Sequence, residues 1–178
     1  MALVPLNSEA EPVIVAPTGP LVVPAVAASE GQPLLSLVVP TLNESENIAD
    51  FLAAVRHTLD ASLPGRYEVI VVDDDSADRT WEIAAHLRQG FPELRVVRRQ
   101  REGGLAVAVI RGWQVARGQI LGTINADFQH PPDVLGRLLE RRAGADLVVA
   151  TRHGDGGGLG DWGMGRRVSS WEIGRAHV

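Results

Sequence analysis

The sequence predicts an α/β fold in which a mostly parallel central sheet lies between helices as a three-layer sandwich. Three observations carry this expectation. From Leu34 onward, short apolar runs alternate with amphipathic stripes. The runs are continuous rather than alternating, as in strands covered on both faces. Polar clusters fall where the runs end, the edge at which such sheets bind ligands.

Residues 1–33 do not share this texture. Pro5, Pro12, Pro17, Pro20, Pro24 and Pro33 interrupt Ala and Val, and no period of 2 or 3.6 survives. The segment reads as a disordered or extended leader. Its apolar stretch, 13–28, is cut by Pro17, Gly19, Pro20 and Pro24, whereas a spanning helix needs about 20 nearly continuous apolar residues. No positive region opens the chain, so no secretory signal is expected.

Residues 34–39 form a buried strand ended by Pro40, with Thr41, Leu42, Asn43 and Glu44 as its exit loop. Ile48, Phe51, Leu52, Val55 and Leu59 then recur at i, i+3, i+4, i+7 and i+11, the stripe of a core-facing helix. Asn43 or Ser45 can cap it, and Glu44 and Glu46 suit its first turn, where the dipole favours anions. Pro64-Gly65 turns the chain into a second strand, 67–72, which ends in Asp73, Asp74, Asp75 and Ser76. A helix with Ile83, Ala84 and Leu87 on one face follows, then a shorter strand at 94–97. Leu105, Ala108, Val109, Gly112 and Ala116 mark a third helix, and 119–124 a strand that runs into Asn125-Ala126-Asp127. Pro131-Pro132 opens a helix carrying Val134, Leu135, Leu138 and Leu139, and 146–150 is a fifth strand.

Composition excludes several functions. There is no cysteine, hence no disulfide, thiolate zinc site or thiol catalysis. The net charge of −5 argues against nucleic acid, which needs a basic face. All 17 basic residues are Arg, so arginine alone meets any anion, and the Lys that phosphoacceptor receiver domains need is absent. The first strand exits without a glycine fingerprint, which argues against a dinucleotide-binding dehydrogenase.

Two clusters can carry chemistry. Asp73, Asp74 and Asp75 repel one another unless a helix N-terminus, a metal or ligand donors favour them; the plainer reading is that they cap the next helix. In Asn125-Ala126-Asp127-Phe128-Gln129, alternate residues of an extended chain project to one side, so Asn125, Asp127 and Gln129 can offer oxygens to one point. Such oxygens suit Mg²⁺ or Mn²⁺ if a diphosphate completes the ligands; the plainer reading is a polar loop. His130 reads as a packing residue. Gly103-Gly104-Leu105-Ala106 is a weak phosphate cradle without a Walker or G-x-G-x-x-G pattern. Glycine-rich residues 154–158 read as a linker or a lid, and Arg152, Arg166 and Arg167 as phosphate forks or a solvated basic surface.

Together, residues 39–44, 68–76, Gly104-Leu105 with Ala108, Gly112 and Ala116, and 125–132 resemble the family 2 glycosyltransferases of GT-A fold. The Gln129-His130-Pro131-Pro132 extension resembles their polyprenyl-phosphate sugar transferase branch. The resemblance implies nucleotide contacts from Pro40, Thr41, Glu44 and Asp74, with Asp73 beside them. It implies a divalent ion, Mg²⁺ or Mn²⁺, at Asn125, Asp127 and Gln129. Asn125 replaces the first Asp of the family's Asp-x-Asp motif, which removes one charge and weakens the expected affinity. It further implies that Arg152, Arg166 and Ser170 hold the acceptor phosphate, with Asp127, Arg152 and Arg166 the catalytic set. Gly104-Leu105-Ala106 stands where the family has Gly-Leu-Gly, a mild departure.

The implied reaction moves a hexose, with inversion, from GDP-mannose or UDP-glucose to a polyprenyl phosphate at the cytoplasmic face of a membrane. The chain itself is expected to be peripheral. The alternative is a truncated fragment that binds nucleotide sugar without transfer. The glycosyltransferase domain is expected over 34–170 with its C-terminal part missing. Residues 171–178 fit no expected continuation and can be back-translated into a sequencing-adapter sequence, so they read as a non-native tail.

Overall fold

The computed structural model describes residues 13–24 and 31–150. Two compact units divide the chain, Met1–Gly136 and Arg137–Val178. The first holds a five-stranded sheet built from β1 (Ile14–Val15), β2 (Leu35–Thr41), β3 (Tyr67–Asp73), β4 (Leu94–Arg98) and β5 (Ile120–Thr123). Helices α1 (Ile48–Ser62), α2 (Thr80–Leu87) and α3 (Leu105–Gln114) connect them, and α4 (Val134–Glu140) follows β5.

Every strand pair is parallel, in the order β1-β4-β3-β2-β5. All seven residues of β2 and all seven of β3 are buried, the apolar ones together with Ser36, Thr41, Glu68 and Asp73. Val38, Ile70, Val72 and Val97 point to one face and pack with Ala108 and Ala116 from α3 and the turn after it. The alternate residues Leu37, Val39, Val69, Val71 and Val96 face the other way. There α2 packs on β3 and β4, and α1 on α2. The chain winds outward from β2 to β4 and then returns past β2 to β5. With right-handed crossovers, that reversal puts α3 on the face opposite α1 and α2.

Helix α3 lies very close to the sheet. A Cβ added at Gly112 would come within 2.6 Å of Val38 and 2.9 Å of Val72. At the amino edge of the sheet, Glu68 is buried and accepts from Ser36 Oγ (2.6 Å), Arg95 Nη1 (2.9 Å), and the Arg117 amide (2.7 Å) and Nε (2.9 Å). Burial by itself would raise the Glu68 carboxyl; the bonds from Ser36, Arg117 and Arg95 outweigh it and hold it below the usual range.

Three expectations are corrected. Within the supposed leader, Ile14 and Val15 pair with Val97 and Arg98 and extend the sheet beyond β4. The free edge of β4 offers backbone groups that a two-residue strand can satisfy despite the prolines around it. Residues 146–150 are not a strand, although 147–150 are apolar. Neither Asn43 nor Ser45 caps α1. The helix starts after Asn47 without a side-chain cap, because the earlier residues bond to a neighbouring loop. No helix among the described residues is long and apolar enough to cross a membrane.

Candidate functional site

Parallel strands place all their carboxyl ends at one rim. Chain direction reverses between β2, which leads to β3, and β5, which pairs with the other side of β2. That is the switch point at which a ligand crevice opens in doubly wound sheets. Pro40 helps to open it. The Ile124 amide donates to Val38 O (3.1 Å), so Val38, and two residues on Pro40, face β5. Pro40 has no N–H to offer, and the β2–β5 ladder ends at Val38 while the β2–β3 ladder runs on to Thr41. The loops after β3 and β5 flank the loop after β2 at about 10 Å from each other, twice the interstrand spacing.

Backbone strain collects at the same rim. Among the described residues, the non-glycine positive φ angles are Asn43 (56°), Asp75 (56°), Arg79 (62°), Arg101 (67°) and Phe128 (53°). All lie in loops that leave the carboxyl ends of strands. Left-handed backbone costs a side-chain-bearing residue on the order of 1–2 kcal/mol, and it persists where the surroundings over-determine it.

The loops after β2 and β3 are wired together. Asp73 is fully buried, and its carboxylate accepts from Thr41 Oγ1 (2.8 Å), Ser76 Oγ (2.7 Å) and the Ser76 amide (2.8 Å). Asn43 N donates to Ser76 Oγ (2.9 Å), and Ala77 N returns a bond to Asn43 Oδ1 (3.1 Å). Glu44 N donates to Thr80 Oγ1 (3.0 Å), and Ser45 N to Asp78 Oδ2 (2.9 Å). Burial alone would raise the Asp78 carboxyl, but the bonds from Thr80 and Ser45 hold it at about 2. The aspartates at 73–75 do not cap α2, whose N-cap position is Arg79. Thr41 and Asp73, expected beside the nucleotide, have their side chains engaged with each other, which fixes the shape of the loop.

Asp74 differs. Its amide donates to Thr41 O (3.1 Å), and its Oδ1 takes both Arg99 Nε (2.6 Å) and Arg99 Nη2. Oδ2 has no partner among the described residues, on a side chain 12 % exposed. Glu44 is half-buried and accepts from Asn47 Nδ2 (3.1 Å).

After β5, buried Ile124 and Ala126 alternate with half-buried Asn125 and Asp127. The alternation holds for Asn125 and Asp127; beyond them the chain turns, with Phe128 at a φ of 53°, so Gln129 does not continue the extended alternation. Gln129 N donates to Asp127 Oδ1 (3.0 Å), and Phe128 packs edge-on to Phe51 at 5.2 Å, which pins the loop to α1. The donor set is one carboxylate and two amide oxygens, with no group of three acidic or histidine side chains among the described residues. Hard oxygen donors few in number fit a divalent cation that also takes oxygens from a bound phosphate.

Sequence reading missed Arg99 and Arg111, both buried behind this rim. Arg111 forks onto Glu102 (Nε 2.9 Å, Nη2 2.6 Å), which holds the Glu102 carboxyl low and raises the guanidinium in turn. Their one signal was the interleaved Arg98-Arg99-Gln100-Arg101-Glu102 run at a strand end. Gly104 (φ 99°) begins α3 and gives its carbonyl to Arg99 Nη2 (3.2 Å), so the weak cradle motif serves the protein itself here. Arg152, Arg166, Ser170 and residues 154–158 lie outside the described residues.

The family model for glycosyl transferase family 2 matches residues 36–177. A dolichol-phosphate mannosyltransferase of Pyrococcus furiosus is 39 % identical over 137 residues, 76 % of this chain and 38 % of the relative. A dolichol-phosphate mannosyltransferase of Saccharomyces cerevisiae is 35 % identical over 76 % of the chain and 51 % of the relative. An undecaprenyl-phosphate mannosyltransferase of Micrococcus luteus is 36 % identical over 75 % and 54 %. The chain thus spans about half or less of the length of these relatives. A solved mannosyltransferase of Pyrobaculum calidifontis, in complex with GDP-Man and Mn²⁺, superposes with a TM-score of 0.51 at 26 % identity, over 66 % of this chain and 35 % of that one. The matched sequence, the parallel sheet and the rim with its acidic loops agree, and the chain belongs to glycosyl transferase family 2.

Proposed function

We propose that this chain carries the donor half of a polyprenyl-phosphate mannosyltransferase, which takes GDP-mannose and passes mannose to a polyprenyl phosphate at the cytoplasmic face of a membrane. The observation that carries the reading is the convergence of the exits of β2, β3 and β5 at the switch point, with Asp74, Asn125, Asp127 and Gln129 partly open to solvent there. The relatives' names favour mannose over glucose, and the solved relative holds GDP-Man.

Charge divides the labour. Glu44 and Asp74 repel phosphates, so they accept N–H and O–H donors of the nucleoside, beside the backbone of Pro40 and Thr41. Asn125, Asp127 and Gln129 would hold Mn²⁺ or Mg²⁺, which when bound neutralises charge on the departing diphosphate. Asp127 supplies the charge of that set, and the Asn125 carbonyl supplies a neutral oxygen. The acceptor is a phosphate monoester with a second pKa of about 6, already largely ionised near neutrality, so no strong base is needed. Arg152, Arg166 and Ser170 align it for a single displacement from the far face, which inverts the anomeric centre.

The test pairs calorimetric titration of GDP-mannose, with and without Mn²⁺, with transfer of labelled mannose to a polyprenyl phosphate. UDP-glucose is the control donor. The expected result is Mn²⁺-dependent binding selective for GDP-mannose, with Asp127→Ala losing the Mn²⁺ dependence and any transfer. Transfer retained by Asp127→Ala contradicts the reading. Binding without transfer favours the second reading, a nucleotide-sugar-binding chain, which the partial coverage of the relatives keeps in view.

A further inference from the structure

We propose that residues 13–22 form an outer strap of the nucleotide site, and that Arg111, Glu102 and Arg99 are positioning residues linking it to Asp74. The inference rests on the nucleotide reading above but adds a segment and three residues to it. Every link is present in the fold. Residues Ile14 and Val15 join β4, and Ala16 N donates to Arg98 O (3.3 Å). Past that strand, Gly19 O accepts from Arg111 Nη2 (2.9 Å), and Pro20 O and Val22 O accept from Gln114 Nε2 (2.9 and 3.0 Å). Gln114 Oε1 in turn accepts from Arg111 Nη1 (2.8 Å). Arg111 forks onto Glu102, Glu102 Oε2 lies 3.6 Å from Arg99 Nη1, and Arg99 Nε reaches Asp74.

Burial makes the chain of contacts stiff. The Arg99 side chain is fully buried and that of Arg111 is 3 % exposed, while Asp74 and Glu102 are the carboxylates paired with them. A buried guanidinium cannot lose its partner cheaply, so it follows its partner instead of releasing it. Arg99 Nη1 already lacks a hydrogen bond. A shift of Glu102 therefore moves Arg99, and with it the Asp74 carboxylate whose Oδ1 Arg99 holds. The far end of this chain is Gly19, whose φ of 95° no β-branched residue adopts without strain. No atom would crowd a Cβ there, so Gly19→Val changes the backbone that presents the carbonyls without a clash.

The test uses the full chain, with Gly19→Val, Arg111→Met and the double variant. Two quantities are read: affinity for GDP with Mn²⁺, and hydrogen exchange at the amides of Asp74, Ser76 and Ala77, all bonded in this loop. Each single variant should weaken GDP about fivefold or more, the low end of measured site-to-site couplings. Each should also speed exchange at these amides selectively, and the double variant should be no worse than Arg111→Met, because both act through one link. Glu68→Gln, at the opposite edge of the sheet, serves as a stability control that should lower the melting temperature without either effect. The proposal is overturned if Gly19→Val and Arg111→Met leave both quantities at wild-type values, or if exchange rises uniformly, as a merely structural role dictates. Exchange needs no ligand, so a wild-type chain that ignores GDP defeats the nucleotide reading while still deciding whether Gly19 is coupled to Asp74.

Discussion

Asp73 ends β3 with no solvent contact and three donors on its carboxylate, whereas Asp74, one residue on, keeps an oxygen without a partner among the described residues. The difference follows from the extended chain, which sends neighbouring side chains to opposite sides. Asp73 turns inward between Thr41 and Ser76; Asp74 reaches across to Arg99 beyond β4. Replacement by the amide should separate the two roles. Asp73→Asn puts an N–H₂ where donors already converge and should cost about 2 kcal/mol of stability, the scale of a hydrogen bond to a charged group. Asp74→Asn should cost stability too, because it takes the charged partner from the fully buried Arg99 guanidinium, but it should in addition weaken GDP binding in the protein that remains folded. Chemical denaturation and titration on the same two variants check this. Equal losses of GDP affinity in the two folded variants would remove the distinction.

Among the elements, α3 shows most directly how packing overrides propensity. Gly112 sits inside this helix, where glycine is worse than alanine by about 1 kcal/mol. Propensity alone therefore predicts that Gly112→Ala stabilises. The sheet forbids it: the added methyl would meet both Val38 methyls, at 2.6 and 2.7 Å, on a fully buried strand that has no room to retreat. Overpacking costs about 1–3 kcal/mol and should win, so Gly112→Ala should lower the urea midpoint. A raised midpoint would mean that α3 slides on the sheet. The apolar stripe of α3 was legible in the sequence, but the distance at which it packs was not, because a glycine in a stripe does not announce what faces it. The same limit explains the error at 146–150. A short apolar run fits a strand only if a neighbour offers a ladder, and composition is silent on neighbours. Conversely, Ile14 and Val15 have too little sequence to show a period, and β4 alone makes them a strand.

Across the whole molecule, one edge of the sheet carries the acidic loops, and the other is tied by a buried ionic cluster. The acidic rim was legible because the clusters at 41–44, 73–76 and 125–129 directly follow apolar runs. Glu68, Arg99 and Arg111 were not, since a charged residue in a one-dimensional pattern reads as solvated until its partners, drawn from distant segments, are known. Glu68 joins β2 through Ser36, β4 through Arg95 and the α3–β5 turn through Arg117, so the fold should depend on its ionisation. Its folded-state carboxyl is depressed below the value in the unfolded chain. The stability this provides is therefore fully present above the unfolded pKa of about 4.3, and is lost as pH falls through the lower folded-state value. The Arg117 guanidinium is largely exposed and screened, so the bonds from Ser36 and from the Arg117 backbone amide carry most of the effect, with Arg95 adding to it. Glu68→Gln should cost about 2 kcal/mol at pH 7, the scale of hydrogen bonds to a charged group. The two melting curves should converge at the acid end, where the native glutamic acid is itself neutral. Melting temperatures of both proteins across pH 3–7 test this. A gap that persists unchanged into acid would show that Glu68 acts through shape and packing, with no part for its charge.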